Sequence, residues 1–292
     1  MQTVFLGTSD FAAAVLRRLA DSAHRPALVV TRPDRPAGRG RKLTPPPVAL
    51  VARELGLEVD QPASVNADEA RARIAAAQPE AVVVCAFGAL LKEPLLSEHL
   101  MLNVHPSLLP RWRGAAPVER AIMAGDRETG VAIMRPTEGF DEGPVCLVER
   151  EPIADSDDYG TLAPRLERLG AELVIRALDE RPPFVDQPSE GATYAEKIGP
   201  QDRLLRPSEQ GAEEVWRVVR ALNPHIGARL GDLRIRRAQP ATEDDVSPAQ
   251  LAGRDGRLLL GCADGALELL EVQPAGGKPM DAAAHVRGHL RG

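Results

Sequence analysis

Aromatic side chains are scarce in this 292-residue chain: two tryptophans, two tyrosines and five phenylalanines, 3% of the residues. Its core must therefore be filled mainly by aliphatic side chains. Cysteines number only three, Cys85, Cys146 and Cys262. They are odd in number and far apart, which excludes a disulfide framework and leaves a reducing, cytoplasmic setting as the expectation. The six histidines (His24, His99, His105, His225, His285, His289) are scattered without ligand spacing, so no metal is expected. No run of about 18 apolar residues is present to cross a membrane. The opening Met1–Leu6 is too short, and lacks the basic residues, for a secretory leader. Net positive charge is missing as well: the formal charge is −6, which excludes a globally basic nucleic-acid binder. The imbalance is uneven. From Arg206 onward twelve basic residues face twelve acidic ones, and the excess of acid lies before that point. A phosphate-bearing partner would need a local basic surface.

What is present is ordinary for a globular enzyme. Hydrophobic residues make up 43% and charged residues 27%, and the length suits two domains. Strands are expected at Thr3–Leu6, Ala27–Val30, Ala81–Cys85 and Leu102–His105. Helices are expected near Phe11–Ala20, Val48–Leu55 and Asp68–Ala77. This βαβ rhythm predicts a doubly wound parallel sheet, with ligands beyond the carboxyl ends of its strands. Further strands are expected at Thr129–Met134 and Val145–Glu149, and a long helix at Tyr159–Leu178, where leucines recur on one face. After a proline- and glycine-rich stretch, the spacing of Val215, Trp216, Val219 and Leu222 predicts a helix over Ala212–Leu222. Short strands follow at Ala228–Leu230, Leu233–Ala238, Arg257–Cys262 and Ala266–Val272, which suggests a small OB-like β-barrel. The expected division is residues 1–188 as an α/β domain, 189–206 as a linker and 207–292 as the β domain.

The chemistry-bearing segments come next. In Leu102-Asn103-Val104-His105-Pro106, strand alternation places Asn103 and His105 on one face at the carboxyl end, and Pro106 ends the ladder. An amide donor and an imidazole so placed suit charge stabilisation; a capping asparagine and a satisfied buried histidine would show the same pattern. The next loop carries Arg111, Trp112 and Arg113, where arginines suit an anion and the tryptophan a flat ring. Glu138-Gly139-Phe140-Asp141-Glu142-Gly143 is a glycine-flanked acidic turn from which one carboxylate could reach and orient a histidine. Gly7-Thr8-Ser9-Asp10 is a strand–helix junction and a weak ligand signal. Arg32–Pro47 is long, basic and glycine-containing, and is expected to be a mobile, substrate-gripping loop. In the last section Arg217, Arg220, Arg229, Arg234, Arg236 and Arg237 are expected to join as a basic strip.

Together, in this order, these segments resemble the folate-dependent formyltransferase family. Asn103-Val104-His105 followed by Ser107-Leu108-Leu109-Pro110, then Asp141 in its acidic turn, is that family's pattern. The resemblance extends to Phe5–Ala12, to Pro33–Leu43, to Arg220–Pro224 and to Gln273–Met280, so it covers nearly the whole chain. Pro106 stands where many members carry glycine. The resemblance implies a Rossmann-like domain that binds 10-formyltetrahydrofolate as donor. It implies Asn103, His105 and Asp141 as catalytic residues and Ser107, Leu108, Leu109 and Pro110 as folate contacts. Within the family, the likeness is to members whose acceptor is initiator methionyl-tRNA, which implies Arg39, Arg41 and Lys42 as tRNA contacts. A monomer without membrane attachment is expected. Alternatives are a small acceptor, such as an amino sugar nucleotide or glycinamide ribonucleotide, and a nucleic-acid-binding module without chemistry.

Overall fold

The computed structural model describes residues 1–37, 40–242 and 245–289. Its contacts divide the chain into two compact units. One comprises Met1–Pro117, Glu128–Pro152 and Ala163–Glu196; the other comprises Val118–Arg127, Ile153–Leu162 and Lys197–Gly292. Among the described residues, no helix is long and apolar enough to cross a membrane.

The first unit is built on β1 (Thr3–Gly7), α1 (Asp10–Ala20), β2 (Pro26–Val30), a hairpin of β3 (Arg35–Ala37) and β4 (Lys42–Thr44), α2 (Pro47–Glu54) and β5 (Glu58–Asp60). α3 (Asp68–Ala76), β6 (Ala81–Cys85), α4 (Leu95–Glu98), β7 (Met101–His105) and the two-residue β8 (Arg113–Gly114) follow. After α5 (Pro117–Ala124), nearly all of which belongs to the second unit, come β9 (Glu128–Met134), β10 (Val145–Pro152), α6 (Tyr159–Glu180), whose first residues also belong to the second unit, and β11 (Tyr194–Ala195). Seven strands form one sheet in the order β10-β9-β7-β6-β1-β2-β5. The five from β7 to β5 are parallel. β9 runs antiparallel to β7, and β10 antiparallel to β9. The parallel sheet expected from the βαβ rhythm is present, with these two antiparallel strands added at one edge. Residues 135–144 connect β9 to β10 directly, whereas a parallel neighbour needs a crossover of roughly a dozen residues or more.

Every residue of β1 and β6 is buried, as continuous apolar runs covered on both faces should be. Valines and leucines of these strands pack with Leu28, Val30, Ile74, Leu95 and Met101. Ser9 caps α1 by accepting from the Ala12 N–H, and Asp10 sits in the first turn, where the helix dipole favours negative charge. Gly7 has a packing reason: a Cβ there would lie 2.5 Å from the Phe5 ring and 2.9 Å from the Ala12 side chain. Gly170 similarly lets α6 lie against β7, since a Cβ would fall 2.8 Å from Val104. The basic segment after β2 includes a paired hairpin, with Pro36 opposite Leu43.

The second unit holds α7 (Ala212–Leu222), β12 (Ala228–Leu230), β13 (Leu233–Pro240), β14 (Leu251–Arg254), β15 (Arg257–Gly261), β16 (Ala266–Gln273), β17 (Met280–Asp281) and α8 (Ala282–His289). Its strands are antiparallel, ordered β12-β13-β16-β15-β14 with β17 on β16. Val215, Val219 and Leu222 of α7 are buried, and the Trp216 indole donates to the Ala238 carbonyl at 3.0 Å.

Arg220 turns inward instead of joining the expected basic strip. Arg220 stacks over Trp216, 4.3 Å from the ring centroid. Its Nη1 donates to the carbonyls of Ala154 (3.3 Å), Asp155 (2.6 Å) and Asp157 (3.1 Å). Burial lowers the Arg220 pKa, opposed by the nearby Asp155. Arg217 pairs with Glu213. Irregularities at Ile235/Arg237 and Arg237/Ala238 break the alternation of β13, and Arg236 approaches Glu271 at 3.9 Å. Arg220 is thus a structural residue. Arg220→Ala should destabilise the protein by about 2–3 kcal/mol, because three carbonyls lose a charged donor. Arg220→Lys should restore only part of this, having no planar group to stack. A urea-denaturation midpoint equal to wild type for Arg220→Ala would contradict this role.

Candidate active site

The site begins on β7. Leu102 and Val104 are buried to one side, while Asn103 and His105 occupy the other. Pro106 ends the strand and the chain turns at once, with the Ser107 N–H donating to the His105 carbonyl at 2.9 Å. Ser107 is fully buried, and its hydroxyl donates to the Arg111 carbonyl at 2.7 Å. Leu108, Leu109 and Pro110 are half-buried. Leu108 packs over Gly130 of β9, where a Cβ would lie 2.5 Å from its Cδ2 and 2.1 Å from the Glu149 carbonyl oxygen. The loop then reaches Trp112, whose N–H donates to the Thr193 hydroxyl at 2.9 Å. At β8, Arg113 and Gly114 pair with Tyr194 and Ala195 of β11. Gly114 has φ +115° and would place a Cβ 2.9 Å from the Ala195 carbonyl oxygen, so glycine is required there.

Asp141, in the β9–β10 connection, has φ +51°, a left-handed conformation that costs a non-glycine residue energy. Its Oδ2 accepts from the Gly114 N–H at 2.9 Å and its Oδ1 from the Asn103 side-chain amide at 3.3 Å. His105 Nδ1 stands 3.5 Å from Oδ2. His105 Nε2 is 2.9 Å from the Trp112 carbonyl. A carbonyl only accepts, so Nε2 carries hydrogen; a ring protonated on both nitrogens satisfies both contacts. The His105 side chain is 5% exposed and that of Asp141 22%. The structure thus brings Asn103, His105 and Asp141 together. The second N–H of the Asn103 amide has no partner among the described residues and remains available to an oxygen.

Arg113 departs from expectation. Only 8% exposed, its guanidinium is held by Gln187 Oε1 at 3.0 and 2.9 Å, so it is not offered to an anion. Arg111 lies over Trp112, 4.4 Å from the centroid. Gln187 was invisible to sequence reasoning, because no local pattern marks a long-range amide contact. Its Nε2 donates to the carbonyls of Asp141 (2.8 Å) and Gly143 (2.7 Å). Phe140, beside Asp141, is 70% exposed. Arg41 and Lys42 are exposed on the β3–β4 hairpin, separate in the chain from Asn103, His105 and Asp141; Arg39 lies outside the described residues. Cavities lined by Arg71, Glu98 and His99, and by Leu102, Cys146 and Phe184, include none of the three site side chains. Among the described residues no group of three His, Cys, Asp or Glu side chains gathers as a metal would require.

Comparison with known proteins shows the family to which the chain belongs. A family model described as formyl transferase matches residues 1–178, and another, formyl transferase C-terminal domain, matches residues 197–290. Methionyl-tRNA formyltransferase of Dechloromonas aromatica is 43% identical, over 99% of this chain and 96% of its own length. That of Granulibacter bethesdensis is 43% identical over 98% and 93%. In fold, the chain is similar to HypX from Aquifex aeolicus in complex with tetrahydrofolic acid, with a TM-score of 0.68 at 19% identity. That match covers 100% of this chain and 48% of the other, so this chain spans about half the length of HypX. The N-formyltransferase of Helicobacter canadensis, in complex with folinic acid and dTDP-3-aminofucose, gives 0.66 at 14% identity over 92% and 98%. The chain is a transferase and belongs to the formyl transferase family, together with these methionyl-tRNA formyltransferases.

Proposed function

We propose that this enzyme transfers the formyl group of 10-formyltetrahydrofolate to the α-amine of methionyl-initiator tRNA, giving N-formylmethionyl-tRNA for translation initiation. The observation that carries the chemistry is the convergence of Asn103, His105 and Asp141 around an amide N–H left free for an oxygen. The acceptor is supported by relatives of that activity matched along nearly their full length.

The amine must be neutral to attack the formyl carbon, and the attack places negative charge on the formyl oxygen. The free N–H of Asn103 donates to that oxygen. His105 Nε2 is engaged by Trp112, and Nδ1, only loosely opposite Asp141 Oδ2 at 3.5 Å, shares its one hydrogen between that carboxylate and the formyl oxygen as a second, three-centre donor. Such donors, fixed before reaction, are each worth about 3–4 kcal/mol. Asp141 orients both donors and takes the proton that the attacking amine sheds, directly or through water. The C–N bond to the donor then breaks, the electron pair and a proton go to tetrahydrofolate nitrogen, and the formyl group stays on the methionine. No step calls for a metal. Leu108, Leu109 and Pro110 are proposed to contact the folate, with Ser107 holding their turn through its bond to Arg111. Arg39, Arg41 and Lys42 are proposed to meet tRNA phosphates. We propose a cytoplasmic monomer, with folate binding and catalysis in residues 1–188, a linker over 189–206 and tRNA binding in 207–292. A small-amine acceptor is tested by offering glycinamide ribonucleotide or a dTDP-amino sugar in place of charged tRNA.

Asn103→Ala and His105→Ala should each lower kcat by about 10²–10³-fold while the thermal midpoint holds. Near-normal turnover at saturating substrates in either variant would remove that residue from the mechanism. Asp141→Asn keeps the shape but loses the charge, and should be comparably impaired.

The basic segment Pro33–Leu43 gives a separate test. Arg39→Ala, Arg41→Ala and Lys42→Ala should weaken tRNA binding and leave folate binding unchanged. Each lost phosphate contact should flatten the log–log salt dependence by about one unit. Equal loss of folate binding would assign the segment to the donor instead.

A further inference from the structure

We propose that Gln187 is a positioning residue for formyl transfer, holding Asp141 in its reactive geometry through the turn's backbone. The proposal rests on the formyl-transfer reading of the site.

The turn around Asp141 has little rigidity of its own. Glycines stand at 139 and 143, Phe140 and Glu142 are exposed, and Asp141 itself occupies a left-handed conformation, φ +51°. A change in that backbone would swing the carboxylate away from His105 and Asn103. Gln187 is the side chain that grips this backbone. One amide nitrogen donates to the carbonyls of Asp141 and Gly143, at 2.8 and 2.7 Å.

A glutamine amide has two nearly isosteric orientations, and only one offers its N–H groups to these carbonyls. Arg113 selects it. Its guanidinium can only donate, and its Nε and Nη2 both point at Gln187 Oε1, which forces the nitrogen toward the turn. Arg113 is buried, so its own hydrogen-bonding demand fixes the pair. The next residue, Gly114, supplies the N–H to Asp141 Oδ2. One two-residue strand, β8, therefore holds Asp141 at both ends: the carboxylate through Gly114 and the main chain through Arg113 and Gln187. Gln187 does not touch the catalytic nitrogens, so its influence on chemistry must pass through Asp141.

The test is a double-mutant cycle on the full-length enzyme, formylating charged initiator methionyl-tRNA from 10-formyltetrahydrofolate. Gln187→Glu keeps an acceptor for Arg113 but sets an oxygen against two carbonyls. It should lower kcat by about 10–100-fold, the range for residues that orient a reactive group, with the folate KM nearly unchanged. In an Asp141→Asn background the same substitution should cost little, because its route to the chemistry is already cut. A second readout needs no turnover. The ring-nitrogen NMR resonances of His105 should move in Gln187→Glu toward their positions in Asp141→Asn. Equal cost in both backgrounds, wild-type kcat, or unmoved His105 resonances would overturn the proposal. If Gln187→Glu does not fold, Arg113→Lys, which loses the two-pronged hold on Oε1, takes its place in the same cycle. Failure of the wild-type enzyme to formylate tRNA would sink the acceptor assignment, while the resonances would still decide the role of Gln187.

Discussion

The Asp141 carboxylate accepts a backbone N–H from Gly114 and a side-chain amide from Asn103, and faces an imidazole nitrogen of His105. Asp141 and its partners stand on three separate stretches of chain, and much of the first unit serves to bring them together. β7 must be central enough to fix Asn103 and His105. The loop after it must return in time to place Gly114. β9 and β10 must be joined by a turn rather than a crossover helix. A partly buried carboxylate is costly unless its lone pairs are met, so the same donors that prepare the chemistry also make the charge tolerable where it stands.

Support for this arrangement comes from places that seem remote in the chain. Gly114 and Arg113 are aligned because β8 pairs with β11, and Thr193 holds the backbone of Trp112. The stretch over residues 189–206, expected to act as a linker, thus includes residues that brace the loop after β7. Its contribution is geometric. A donor that must stabilise a developing oxyanion works best when it needs no rearrangement at the moment of reaction, and short secondary bridges of two residues suffice to hold it.

Local pattern made part of this legible. Alternation in Leu102–His105 and the stop at Pro106 placed the two donors on one face, and the apolar spacing from Val215 to Leu222 marked α7 to its observed ends. Strand direction is absent from such periodicity, so the antiparallel β9 and β10 looked like any other strands. The β3–β4 hairpin and the pair β8–β11 were hidden because they are short and bury little, leaving no alternation to detect. β14, broken by Gly253, was missed for a related reason. Gln187 shows the deeper limit: a glutamine that satisfies carbonyls far away in sequence carries no local mark.

Arginine shows the same limit in electrostatics. Charge counting treats Arg113, Arg220 and Arg41 alike, yet the first is buried against an amide, the second is stacked on an indole with three carbonyls around its head, and the third is exposed. A guanidinium presents both a flat face and a fork of donors, so it serves as readily to satisfy backbone as to bind phosphate. On a chain of net charge −6 the distinction decides where a polyanion can approach. Arginines spent internally contribute little directed attraction, and carboxylates nearby cancel most of their distant field. On the proposed acceptor, binding then depends on where exposed cations such as Arg41 and Lys42 stand rather than on overall charge.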